Sequence, residues 1–243
     1  MPMSLPCAAP GVVPCAALVP AALVPKRTEV QGHGFSWEKE ILTNVFKVPV
    51  DKLKTINYTS KMDLPAEYNE LDHCDVSIKT THSANAVGMA DCLRMFDAVT
   101  SGKPLHLIVI QYKQIELIKK VCSITEIDLT SSRALLFGTL ERAQLEELDK
   151  AVKAVPQKRK PTDAEYKHMY ELRDALQPFS GALHLDIKCN SQQSRLQCAF
   201  NHFQPFLEKN PGLIVALSLT HEFRGGFISA ELTSGPRVFK QMH

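Results

Sequence analysis

Tyr58-Thr59-Ser60-Lys61-Met62-Asp63 and Asp75-Val76-Ser77-Ile78-Lys79-Thr80-Thr81 are the two stretches whose reading decides the fold. The first reads as a strand ending at Asp63 and the second as the next strand. Leu64-Pro65-Ala66-Glu67-Tyr68-Asn69-Glu70 is the turn region between them. A hairpin of this kind brings Asp63 and Lys79 together, although 16 positions separate them. Side chains alternate along a strand, so Asp75, Ser77 and Lys79 share one face.

Upstream, Ser36 is placed to cap a helix on which Trp37, Ile41, Val45 and Phe46 share a face. Glu38 and Glu40 lie in its first turn, where the helix dipole favours acids for structural reasons alone. Downstream, Met89, Leu93, Phe96 and Val99 recur at helical spacing, which predicts a helix from Met89 to Val99. Leu105-His106-Leu107-Ile108-Val109-Ile110 is a nearly continuous apolar run, the pattern of a strand buried on both faces.

Further strands are expected over Ile124 to Leu129 and Ala134 to Phe137, then a helix over Leu140 to Val155 with Leu145, Leu148 and Val152 inward. Thr162-Asp163-Ala164-Glu165 is a capping box opening a helix to about Leu176, with Met169, Leu172 and Leu176 inward. Ala182 to Lys188, Leu213 to Leu219 and Gly226 to Leu232 read as strands, Asn201 to Glu208 as a short helix, and Arg224-Gly225-Gly226 as a loop. The order of elements predicts an α/β (α+β) protein with a central mixed β-sheet flanked by helices.

The chain has 243 residues, 44% of them hydrophobic and 22% charged, enough for one large or two small domains. We divide it into a low-complexity arm (1–30), a core (31–122) and a remainder (123–243) that completes the fold or continues the same domain. The arm is Ala-, Val- and Pro-rich and repeats Ala-Ala-Leu-Val-Pro; Pro6, Pro10, Pro14, Pro20 and Pro25 break any helix, so a disordered arm is expected. Seven cysteines without a CxxC pair predict free thiols in a reducing, intracellular setting, cytoplasm or nucleus. No apolar run of roughly 18 residues occurs, so no membrane span is expected. The net charge of +2 leaves nucleic acid neither favoured nor excluded, since a basic patch can be local.

A helix carboxylate, a strand-end aspartate and a strand lysine suit metal-dependent phosphodiester chemistry. Carboxylates hold Mg²⁺, the ion polarises the phosphate and lowers the pKa of a bound water, and a lysine steadies the developing charge. On these residues, over about positions 34 to 115, the chain resembles the restriction-endonuclease-like, PD-(D/E)xK nuclease superfamily. The resemblance implies a mixed sheet flanked by helices and cleavage of double-stranded DNA with Mg²⁺, as a homodimer and plausibly at a specific sequence. It assigns Asp63, Lys79 and Glu38 as catalytic and Asp63, Glu38 and Asp75 as metal ligands, with Glu40 as a substitute for Glu38. The family's second acid normally lies two residues before the lysine, where this chain has Ser77. Asp75, or Asp91 on the following helix, is the stand-in.

Leu185-Asp186-Ile187-Lys188 is a second Asp-x-Lys, with Glu171 or Asp174 as its upstream acid. Lys188, Asn190, Gln192, Gln193 and Arg195 are rich in side chains that read base edges, and this stretch is the expected DNA-contacting segment. Lys158, Arg159, Lys160 and Arg224 are candidate phosphate contacts, although such charges also serve as solvated loops. Asp72-His73-Cys74-Asp75 and the group His184, Cys189, Cys198 and His202 lack the paired short spacings usual for zinc. Beside a nuclease, a catalytically inactive nucleic-acid-binding protein of the same fold remains open, as does a protein-interaction domain.

Overall fold

The structure, a computed structural model, describes residues 36–53, 56, 62–156, 159–190 and 192–233. The N-terminal arm, the strand expected over Tyr58 to Lys61, and Lys158 lie outside the described residues.

The first element is a helix, α1 (residues 36–45), whose last turn, Ile41–Val45, widens to π geometry. A short helix α2 (Val50–Leu53) follows. Strand β1 (Asp75–Thr81) has the bounds expected from sequence. Next come β2 (Val87–Asp91), α3 (Cys92–Thr100), β3 (Leu105–Ile115) and β4 (Ile118–Asp128). They are followed by α4 (Arg133–Phe137), α5 (Arg142–Lys153), α6 (Asp163–Leu176), β5 (Leu183–Asn190) and β6 (Gln193–Phe200). The last described elements are α7 (Phe203–Lys209), β7 (Ile214–Ser218), β8 (Glu222–Phe223), β9 (Gly226–Phe227) and β10 (Glu231–Thr233).

The larger sheet is mixed. Its order is β1-β3-β4-β10, with β7 also paired to β4. β1 and β3 run parallel, which requires the crossover that β2 and α3 provide. The smaller sheet, β2-β6-β5, is antiparallel. β3 carries the buried run: Leu107, Ile108, Val109 and Ile110 are all fully buried because the sheet is covered on both faces. Leu107 and Val109 join the core made by α3, α5 and the smaller sheet, while Ile108 and Ile110 join Trp37, Ile41 and Val45 of α1. Each such aliphatic side chain contributes roughly 1.5–3 kcal/mol by leaving water. This is a mixed α/β architecture with helices on both sides of a mixed sheet. The sequence division at residue 122 falls inside β4, and β7 and β10 return to that same strand.

Three local expectations are corrected. Ala134 to Phe137 is helical (α4): its apolar residues face a helical core, and four apolar positions cannot separate strand from helix. The helix after β1 begins at Cys92, not Met89. Asp91 caps it by accepting the Arg94 amide (2.9 Å), and Met89 is buried on β2 instead. Gly226 to Leu232 breaks between β9 and β10, so that Ser229 can reach back to α1. Pro205 is tolerated inside α7 because it sits in the first turn, where no intrahelical N–H is needed. The capping box at Thr162 and Glu165 forms as read.

Gly138 ends α4 at φ 58° and ψ −123°, a conformation open essentially to glycine alone. A Cβ there would sit 2.3 Å from the Phe179 carbonyl oxygen. Gly138→Ala is therefore expected to cost about 2 kcal/mol, readable as a lowered midpoint in urea with unchanged slope.

Candidate functional site

Among the described residues β1 is an edge strand, so alternate backbone amides point away from β3. The segment 62–64 covers that edge. Val76 N donates to Leu64 O (2.8 Å) and Leu64 N to Val76 O (3.0 Å), an isolated antiparallel bridge at a residue read from sequence as part of the turn. One step along, the Asp63 carboxylate takes the place of a strand. Its Oδ2 accepts from Ile78 N (2.6 Å), Ser77 Oγ (3.1 Å) and Lys79 Nζ (3.0 Å). Lys79 Nζ also donates to Ile78 O at 3.0 Å, which fixes the ammonium over the strand edge. Asp63 and Lys79 thus meet directly. Asp63 Oδ1 accepts no hydrogen bond among the described residues.

Glu38 is brought to the same place by α1, whose Trp37 is fully buried and donates through Nε1 to Ser229 O at 2.8 Å. Burial, and then the negative charge of Asp63, push the Glu38 carboxyl up to about 7, against the pull of Lys79. Asp63 is paired with the Lys79 ammonium, so burial and the Asp63 charge together favour the protonated form of Glu38. Asp63 Oδ1 and the Glu38 carboxyl are hard oxygen donors, the kind that divalent cations of the Mg²⁺ and Ca²⁺ class take.

The other residues read from the sequence fall elsewhere. Glu40 accepts from Ser229 N (2.5 Å) and Ser229 Oγ (2.7 Å), so both its oxygens tie α1 to the chain between β9 and β10. Asp75 shares a strand face with Lys79 but accepts from Ala66 N at 2.8 Å, shaping the turn before β1. It lines a cleft of about 350 Å³ with Met62, Asp91 and Arg94. Asp91 is spent as the α3 cap.

Asp186 and Lys188 pair with each other at 2.6 Å on β5, an edge of the smaller sheet. Asp174 is paired with Arg173, and Glu171 lies 3.8 Å from Lys167. Asn190 Oδ1 accepts from the amides of Gln192 and Gln193 (2.8 and 3.1 Å), building the β5–β6 turn. Arg195 stands opposite Lys188 and reaches the Gln197 side-chain oxygen at 3.0 Å. Arg159 is bound to Glu165 (2.5 Å), and Lys160 is exposed. Arg224 grips both Asp72 oxygens (2.6 and 2.7 Å) and touches Glu126 at 3.2 Å, so its guanidinium serves an internal network.

That network was missed as a unit. Asp72, Cys74 and His106 offer ligand atoms within 4.8 Å of one another and could hold a metal ion. Asp72 and Cys74 are close in sequence, but His106 and Glu126 arrive from β3 and β4 through strand pairing that no local spacing encodes. Glu126 is fully buried and its Oε1 lies 2.8 Å from His106 Nδ1. Contact with the Cys74 sulfur, and then with Glu126, pushes the His106 imidazole up to about 10. Cysteine, imidazole and carboxylate in series resemble a nucleophile with its base and orienter. Cys74 is only 1% exposed, however, which closes its sulfur to a substrate.

Comparison of the chain with protein-family models, with curated proteins and with solved structures finds no match in any of the three. No helix among the described residues is long and apolar enough to cross a membrane.

Proposed function

We propose that the chain is a Mg²⁺-dependent, sequence-specific endonuclease of the restriction-endonuclease-like kind that hydrolyses phosphodiester bonds in double-stranded DNA. One observation carries the reading. Residues from a helix, a loop and a strand converge so that Lys79 Nζ lies 3.0 Å from Asp63 Oδ2, with Glu38 held nearby in a desolvated pocket.

Bound Mg²⁺ would supply polarisation of the scissile phosphate and acidification of a water. The chain's own groups do the rest. Asp63 Oδ1 and Glu38 would hold the ion, while Asp63 Oδ2 is fixed by its three donors and so presents Oδ1 without conformational cost. Lys79, restrained by Asp63 and Ile78 O, places a positive charge where the attacking water and the phosphorane build negative charge. Ser77 donates to Asp63 from the position of the family's second acid, so it orients a ligand in place of being one. Asp75 is left as a turn residue. Lys188, Asn190, Gln192, Gln193, Arg195, Lys158 and Lys160 are the DNA contacts in this reading, and a homodimer would cut both strands.

Ser77 also favours the second reading, a DNA-binding protein of this fold that does not cut. Supercoiled plasmid incubated with the chain and Mg²⁺, with EDTA, and with Lys79→Ala separates the two. Nicked or linear product with Mg²⁺ alone, reduced about 100-fold or more in Lys79→Ala, supports the nuclease. Gel retardation without product supports the binder. Intact, unshifted plasmid under every condition overturns both.

A further inference from the structure

We propose that Asp72, Cys74 and His106 form a second metal site, separate from Asp63 and Glu38 and built for a borderline cation of the Zn²⁺ class, which locks the chain before β1 onto β3. This inference does not depend on the nuclease reading.

The donor set selects the ion. One sulfur, one imidazole nitrogen and one carboxylate oxygen suit Zn²⁺, whereas Mg²⁺ requires oxygen ligands. The ligand atoms already lie within 4.8 Å of one another. Tetrahedral zinc with bonds of roughly 2.0–2.3 Å spaces its ligands by about 3.3–3.8 Å, so binding would draw the three side chains about 1 Å closer. A water would complete the fourth position.

The surroundings carry the marks of outer-shell support. His106 Nδ1 faces the fully buried Glu126 carboxylate at 2.8 Å, and a ligating histidine is typically held by an acid on the ring nitrogen that the metal does not use. Asn69 is itself fully buried and aims Nδ2 at Cys74 Sγ (3.3 Å) and Cys74 O (2.9 Å). Arg224 grips both Asp72 oxygens from the other side, leaving their remaining lone pairs for the ion. The same guanidinium reaches Glu126, so one arginine braces a ligand and the acid that orients another.

The site joins three distant parts of the chain. Asp72 and Cys74 precede β1, His106 begins β3, and Arg224 forms the left-handed β8–β9 turn (φ 48°). Closing it fixes the start of β1, the strand that bears Lys79, without touching the reacting groups.

The test uses the full chain stripped of metal and then dialysed against Zn²⁺, with Co²⁺ as a spectroscopic probe. One tightly held Zn²⁺ per chain is expected, with a raised melting temperature and a thiolate-to-cobalt charge-transfer band with Co²⁺. Cys74→Ser should abolish the band, and Asp72→Asn should weaken binding about 100-fold. Asp63→Ala should leave zinc uptake unchanged, which separates this site from the nuclease one. Circular dichroism confirms that each variant is folded. Failure of the wild-type chain to take up Zn²⁺ overturns the proposal, as does uptake that a folded Cys74→Ser variant retains.

Discussion

Asp63→Ala is expected to lower metal-dependent DNA cleavage by about three orders of magnitude, the roughly 4 kcal/mol that a lost metal-ligating carboxylate removes from transition-state stabilisation. The variant removes the acceptor of three donors at once: Ile78 N, Ser77 Oγ and Lys79 Nζ. The Lys79 and Asp63 side chains are both partly exposed, so water can reach these groups. The folding cost should therefore stay near 1–3 kcal/mol, and the chain should remain folded at room temperature. Asp63→Asn sharpens the test. It keeps an oxygen for Ile78 N but withdraws the charge, so stability should largely return while cleavage does not. Rates measured under single-turnover conditions with saturating Mg²⁺ check this. Asp63→Asn cutting as fast as the wild-type chain would remove the basis of the proposed mechanism.

How much of this could be read in advance varied with the range of the interaction. Bounds set by local chemistry were legible: β1 from Asp75 to Thr81, the Thr162 capping box, the α5 face of Leu145, Leu148 and Val152, and the doubly buried run of β3. The apolar face of α1 was legible too, because Trp37, Ile41, Val45 and Phe46 recur at helical spacing. Short apolar segments were not. Residues 134–137 fit either period, and only the packing of Leu136 and Phe137 against the helical core makes them a helix. A hairpin whose first strand lies outside the described residues predicts that Asp63 meets Lys79; among the described residues the Leu64–Val76 bridge and the Asp63 carboxylate's own bonds to β1 bring them together.

Charge assignments were harder, because a sequence shows a charge but not its partner. Arg224 reads as a loop cation and is the hub of an internal network; Arg159 belongs to Glu165; Glu40 belongs to Ser229. Each is claimed by a residue distant in sequence or by a cap. The Asp72–Cys74–His106 cluster escaped for the same reason: parallel pairing of β1 with β3 sets Val76 beside His106.

Glu38→Gln is expected to stabilise the metal-free chain above neutral pH by up to about 3 kcal/mol while abolishing its response to Mg²⁺. The sign follows from linkage. The Glu38 carboxyl is raised from 4.5 to about 7, first by burial and then by Asp63, so the folded state holds its proton longer than the unfolded state does. Stability therefore falls as pH rises from about 4.5 to about 7, and the full penalty persists at higher pH. Glutamine carries no such charge and escapes the penalty. Melting curves in EDTA should show the wild-type chain losing stability across that window, with Glu38→Gln nearly flat and more stable at pH 8. Added Mg²⁺ should reverse the order: a cation between Glu38 and Asp63 neutralises their repulsion and raises the wild-type melting temperature, but gives little to the variant. A group that weakens the empty fold and is relieved by a ligand is what selection for binding leaves behind, whereas selection for stability alone would have removed it. Equal pH profiles for the two chains in EDTA would show that Glu38 is not held in that charged, desolvated pocket, and would take it out of the proposed site.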